Sequence, residues 1–104
     1  MPFMILFEAV PNAGREDEYF EISKGLFEIL EQQPGFISID RARSVLSEGK
    51  LLSVSFWESE AAIEGWLNHP LHREAQRRGK EGIFRSMRIT RLEVLSARDV
   101  PVGE

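Results

Sequence analysis

The chain has 104 residues, a formal net charge of −4, no cysteine, and apolar and charged fractions of 42% and 29%. That length fits one compact domain, and the acidic balance argues against a nucleic-acid binder, which carries a basic stripe. The lack of cysteine removes disulfides, thiolate nucleophiles and zinc–thiolate sites, and suits a cytoplasmic protein.

The apolar start, MPFMILFEAV, is too short to span a bilayer. It also lacks the basic opening and small-residue cleavage site of a signal peptide, so no membrane partner is expected. Phe3 to Val10 reads as the first strand, ahead of a Pro-Asn-Ala-Gly turn. Phe3, Ile5, Phe7 and Ala9 face one way, and Met4, Leu6 and Val10 the other, with Glu8 as the interruption. A strand that is apolar on both faces needs cover on both.

Arg15 to Gln32 reads as a helix. Glu16, Asp17 and Glu18 suit its N-terminal dipole, and Tyr19, Ile22, Leu26, Phe27 and Leu30 make a stripe at helical spacing. Gly25 interrupts it at a cost of about 1 kcal/mol relative to alanine, and Pro34-Gly35 ends it.

Phe36 to Arg43 reads as the second strand. Phe36, Ser38, Asp40 and Ala42 alternate with Ile37, Ile39, Arg41 and Arg43. After a hairpin turn at Ser47 to Lys50, Leu51 to Trp57 reads as the third strand, with Leu52, Val54 and Phe56 opposite Leu51, Ser53, Ser55 and Trp57.

Ser59 is a good N-cap for a second helix, whose stripe is Ile63, Trp66 and Leu67. Pro70 cannot continue that helix smoothly but is comfortable opening a new one. The pattern predicts a broken helix, with His69 at the break. Gly79 and Gly82 end the helical region, and Ile83 to Ala97 reads as the last strand, rich in arginine. Residues 1–97 make a single domain, and 98–104 a loose tail.

The order β-α-β-β-α-β predicts the ferredoxin-like α+β arrangement: a four-stranded antiparallel sheet with both helices on one face. The bare face is too apolar for solvent. A second copy packed sheet to sheet would cover it.

The chemical candidates cluster between Leu51 and Gly79, which hold both tryptophans and both histidines. Periodicity makes Trp66 a core aromatic, a position compatible with the wall of an apolar pocket. His69 suits a helix terminus, where it would bond freed backbone carbonyls. His72 suits either a half-buried helix position or a pocket. Asn68 and Gln76 could donate hydrogen bonds into the same pocket or cap and solvate the helix. Arg85 and Arg91 share a strand face, opposite Arg88, and an inward arginine binds a carboxylate, phosphate or phenolate. Two histidines with Glu74 make a weak metal pattern. Phosphate loops, nucleophile elbows and cysteine nucleophiles are absent.

The run S-F-W-E-S-E-A-A-I-E-G-W-L-N-H-P-L-H-R-E-A-Q resembles the antibiotic biosynthesis monooxygenase (ABM) family. So do the P-N-A-G-R-E-D-E-Y-F helix start, the P-G-F-I-S turn and the closing strand R-S-M-R-I-T-R-L-E-V-L. The resemblance implies a homodimeric α+β barrel with a pocket between helices and sheet. It implies either a cofactor-free monooxygenase of small aromatic or quinol-type molecules, or an enzyme that binds and degrades heme. The heme-degrading type has an Asn on the first strand, where this chain has Phe7 and Glu8. Its His ligand falls near Gln76, while its tryptophan matches Trp66. The cofactor-free type implies His72, Trp66 and Asn68 as catalytic residues and Trp57, Phe7, Arg85 and Gln76 as substrate contacts. A non-catalytic barrel that binds a small molecule is the further alternative.

Overall fold

A computed structural model describes residues 2–103. Met1 and Glu104, the first residue of the expected domain and the last of the expected tail, lie outside the described residues. The elements are β1 (Phe3–Pro11), α1 (Glu16–Glu31), β2 (Phe36–Arg43), β3 (Leu51–Trp57), α2 (Glu60–Leu67), α3 (Pro70–Arg78) and β4 (Phe84–Glu93), with a wide helical turn over Gly79–Ile83 ahead of β4. The strands form one antiparallel sheet in the order β2-β3-β1-β4. This is the ferredoxin-like α+β fold. Among the described residues no helix is long and apolar enough to cross a membrane.

Register decides what each sheet face carries. Phe3, Ile5, Phe7 and Ala9 of β1 lie opposite Trp57, Ser55, Ser53 and Leu51 of β3. This set faces the helices: Ile5, Ala9, Leu51, Ser55 and Trp57 are all buried. The other face carries Met4, Leu6 and Glu8 against Phe56, Val54 and Leu52. Trp57 therefore lies inside, and the bare face takes the alternate set. Glu8 on that face is ion-paired to Lys50 at 2.6 Å, which holds its carboxyl below the usual carboxylate range.

Strict alternation fails at two points. The β2–β3 register shifts between Phe36 and Ser38. The extra residue turns Phe36 to the helix side, where it meets the Trp57 ring edge-on at 5.4 Å, and leaves Ile37 50% exposed. Phe36 thus does not share a face with Ser38, Asp40 and Ala42, because a bulge places two residues opposite one. A second shift, between Val10 and Pro11, sets Phe84 against Pro11. Phe84 then packs on Phe7 and Tyr19.

The last strand is shorter than Ile83 to Ala97. It has one neighbour, β1, and Glu93 is already level with Phe3. A further bond beyond the strand runs from the Val94 N–H to the Pro2 carbonyl at 3.0 Å.

The helices end where local chemistry dictates. The Ser59 hydroxyl accepts from the Ala62 N–H at 3.1 Å. His69 opens α3, its Nδ1 accepting from the Leu71 N–H at 3.1 Å, with Pro70 in the first turn. The break at Pro70 follows the sequence expectation, but the His69 ring accepts from a backbone N–H; it does not donate to freed carbonyls. The core is Ile5, Leu30, Trp57, Ile63 and Trp66. Stacking of Trp57 on Trp66 at 6.5 Å and the Phe36 contact each add about 0.5–1.5 kcal/mol beyond area burial.

Candidate active site

A cavity of about 140 Å³ lies between α1, α3 and the helix-facing side of the sheet. The odd residues of β1, β3 and β4 form its floor, including Phe7, Ser53, Ser55 and Ile89, and Arg41 sits at its β2 edge. Tyr19 and Leu26 of α1 and Trp66, His72 and Gln76 of α2 and α3 form the roof. The volume matches about one aromatic ring. The lining is mostly apolar with a few polar groups, the composition of a small-molecule site.

His72 is the chemically distinctive group. Its ring lies 4.7 Å from that of Trp66 at 46°. Its Nδ1 is buried and has no hydrogen-bond partner. Such an atom costs about 1–3 kcal/mol unless something satisfies it. Burial pushes the His72 pKa below the ordinary histidine value, with the Leu67 backbone pulling the other way. Burial thus favours the neutral imidazole, one of whose two ring nitrogens carries a lone pair. The helix break makes this possible. Pro70 restarts the chain at a new angle, so α3 brings His72 back over the indole presented by α2.

Trp66 is only 6% exposed, yet it lines the cavity. It is core on one side and wall on the other. Phe7 and Gln76 line the cavity as well. Trp57, Asn68 and Arg85 do not. Trp57 has 0% exposure and lies beneath Trp66, its indole N–H donating to Ser55 Oγ at 2.9 Å. It supports the wall and cannot touch a ligand. Asn68 is exposed at the end of α2, where its side-chain amide donates to the Glu64 carbonyl at 2.9 Å. It caps the helix and does not reach the catalytic position expected of it. Arg85 is exposed and outside the cavity, next to the register shift at the start of β4. Arg91 is engaged in an ion pair with Glu64. Among the described residues no group of three or more histidine, aspartate or glutamate side chains is arranged to hold a metal ion.

Sequence reasoning missed Arg41, Ser53, Ser55 and Tyr19 as lining residues. The signal for the serines was present: two small polar residues on the otherwise apolar inner set of β3 leave room and hydroxyls beneath the helices.

These features define a ferredoxin-like α+β domain with an apolar chamber between helices and sheet. The chain belongs to the antibiotic biosynthesis monooxygenase family, whose model matches residues 2–78. It is 31% identical over 111 aligned positions to a jasmonate monooxygenase ABM of Pyricularia oryzae, covering 93% of this chain and 52% of that relative. The chain thus spans about half the length of that relative. Among solved structures, Rv0793 of Mycobacterium tuberculosis superposes with a TM-score of 0.84 at 16% identity, covering 95% of this chain and 100% of that one. SnoaB of Streptomyces nogalater, described as a cofactor-independent oxygenase, superposes with a TM-score of 0.78 at 10% identity, covering 92% and 95%. At those identities the two structures speak to the fold alone.

Proposed function

We propose that this chain is a monooxygenase that takes a small phenol or quinol into the chamber and oxidises it without a bound cofactor. The observation that carries this is the unpartnered, buried Nδ1 of His72 beside the Trp66 ring, inside a cavity of one-ring size. A relative named as a jasmonate monooxygenase and a fold neighbour described as a cofactor-independent oxygenase support the reading.

Neutral His72 accepts the hydroxyl proton of the bound ring. Trp66 and Phe7 hold the ring by contact, and the Gln76 amide and the serine hydroxyls of β3 are the groups available to orient it. The electron-rich anion passes one electron to dioxygen. The resulting pair recombines as a carbon-bound hydroperoxide, which loses water to leave a new oxygen on the ring carbon. For hydroquinone the balance is one hydroquinone and one O2 in, one 2-hydroxy-1,4-benzoquinone and one water out. All electrons come from the substrate, so no external reductant is required.

Heme, the cofactor the family resemblance offers as the alternative, fits the chamber poorly. A tetrapyrrole needs several times the room of one ring, and Phe7 occupies the floor. The second copy implied by the family remains part of the proposal: it would cover the bare face of Met4, Leu6, Leu52, Val54 and Phe56 and close the sheets into an α+β barrel.

The test is oxygen uptake with hydroquinone under ¹⁸O₂. Acceleration over the spontaneous rate with one labelled oxygen in a hydroxyquinone, lost in His72→Ala, is the expected result. Unlabelled benzoquinone at the spontaneous rate refutes the reading.

A further inference from the structure

Among the described residues Arg41 is the single Asp, Glu, Lys or Arg side chain lining the chamber. It is exposed, and it also lines the shallow surface groove by Phe20, Phe27 and Asp40. A residue that borders both the inner cavity and the outer groove stands at the mouth between them. Its strand position puts it level with Ser53, a floor residue.

Several other arginines are already paired. Arg43, on the same face of β2, pairs with Glu16. Arg91 pairs with Glu64, and Arg15 with Glu18. Among the described residues Arg41 has no ion-pair partner. The chamber therefore has two chemically distinct ends. Roof residue His72 offers an unsatisfied nitrogen beside an indole, and the edge strand of the floor offers a free guanidinium where the chamber meets solvent. The cavity holds about one ring, so the remainder of a longer ligand would extend out through the mouth.

We infer that the ligand is a hydroxylated ring bearing an anionic arm, a carboxylate, that leaves the chamber past Arg41 and pairs with its guanidinium. Arg41 is then a specificity-determining residue, and Ser53 is the nearest hydroxyl able to share the carboxylate. The inference rests on the reading of the chamber as the substrate site. A planar guanidinium suits a carboxylate because its N–H fork can bind both oxygens.

The experiment compares 4-ethylphenol with 3-(4-hydroxyphenyl)propionate, two phenols differing in the terminal carboxylate, by isothermal titration of the full chain. Because Arg41 is exposed, the preference is modest: about fivefold tighter binding of the carboxylate at low salt. It shrinks as salt rises, since exposed ion pairs are screened. Arg41→Gln removes the preference, Arg41→Lys keeps part of it, and Arg85→Gln, outside the cavity, keeps all of it. Equal affinity of the two phenols for the wild type, or a preference that survives in Arg41→Gln, overturns the inference and leaves the chamber's role intact. Binding of neither phenol overturns both.

Discussion

Helix α2, which carries Trp66, is pinned to the rest of the molecule at Gly35, and the pin can be tested by adding one carbon atom. Gly35 has φ of +81°, and a Cβ built there would lie 2.5 Å from the Ala62 Cβ. Its carbonyl accepts from the Glu58 N–H at 2.8 Å, just ahead of α2. Gly35→Ala therefore carries two penalties. The left-handed backbone costs alanine about 1–2 kcal/mol. The carbon contact is about 1–1.5 Å inside the usual separation of about 3.5–4.0 Å, and overpacking of that kind costs about 1–3 kcal/mol. The sum, about 2–5 kcal/mol, lowers the Tm by roughly 10–30 °C in a domain of this size. Gly25 is the internal comparison. It lies in α1 with no atom within 4 Å of a built Cβ, so Gly25→Ala gains about 0.5–1 kcal/mol of helix stability. Thermal and urea unfolding of the two variants should move in opposite directions. A Gly35→Ala protein as stable as the wild type, or a Gly25→Ala protein as damaged as Gly35→Ala, refutes the reasoning.

The two tryptophans separate support from contact. Trp57→Phe loses volume and the bond to Ser55, costing about 2–3 kcal/mol in unfolding measurements, with phenol affinity per folded molecule kept within about twofold. Trp66→Phe costs less stability because one side already borders a cavity, yet weakens phenol binding about tenfold, or 1.4 kcal/mol in calorimetry. The pH dependence has a definite sign. His72 is lowered by burial, so the unfolded chain binds its proton more readily. Stability is complete above about pH 6.5 and falls as pH drops from there through the folded pKa. Denaturation at several pH values should show this loss in the wild type and less of it in His72→Gln. Oxygen uptake should decline over the same acid limb. For the bare sheet face, Val54→Asp should convert a species of twice 11.9 kDa into one of 11.9 kDa by light scattering; a wild type already monomeric contradicts the barrel.

The legible parts of this chain were those set by neighbours in sequence. The break at Pro70, the cap at Ser59 and the order of strands all follow from signals within a few residues. What escaped was set by register. A bulge at Ile37 turns Phe36 inward, and another at Val10 turns Phe84 toward Tyr19. No periodicity announces an inserted residue, so alternation assigned Phe36 to the wrong face. Arg85 was a reasonable inward arginine by counting, but β4 begins on the far side of such a shift. Arg41 was overlooked because a charged residue on an edge strand reads as solvated surface. Only the cavity between helices and sheet, which Arg41 lines, makes it part of a chamber. Trp57 and Trp66 could not be ranked by type; depth separated them.

The central claim is that a phenol binds in this chamber against His72 Nδ1. The chain has two histidines, and they provide their own control. His69 Nδ1 already accepts from Leu71, whereas His72 Nδ1 has no partner. The most direct measurement is the ¹⁵N resonance of both imidazoles during titration with 4-ethylphenol. A saturable shift of His72 Nδ1, with His69 Nδ1 unmoved, is the predicted result. Saturable phenol binding that leaves His72 Nδ1 unmoved would contradict the account.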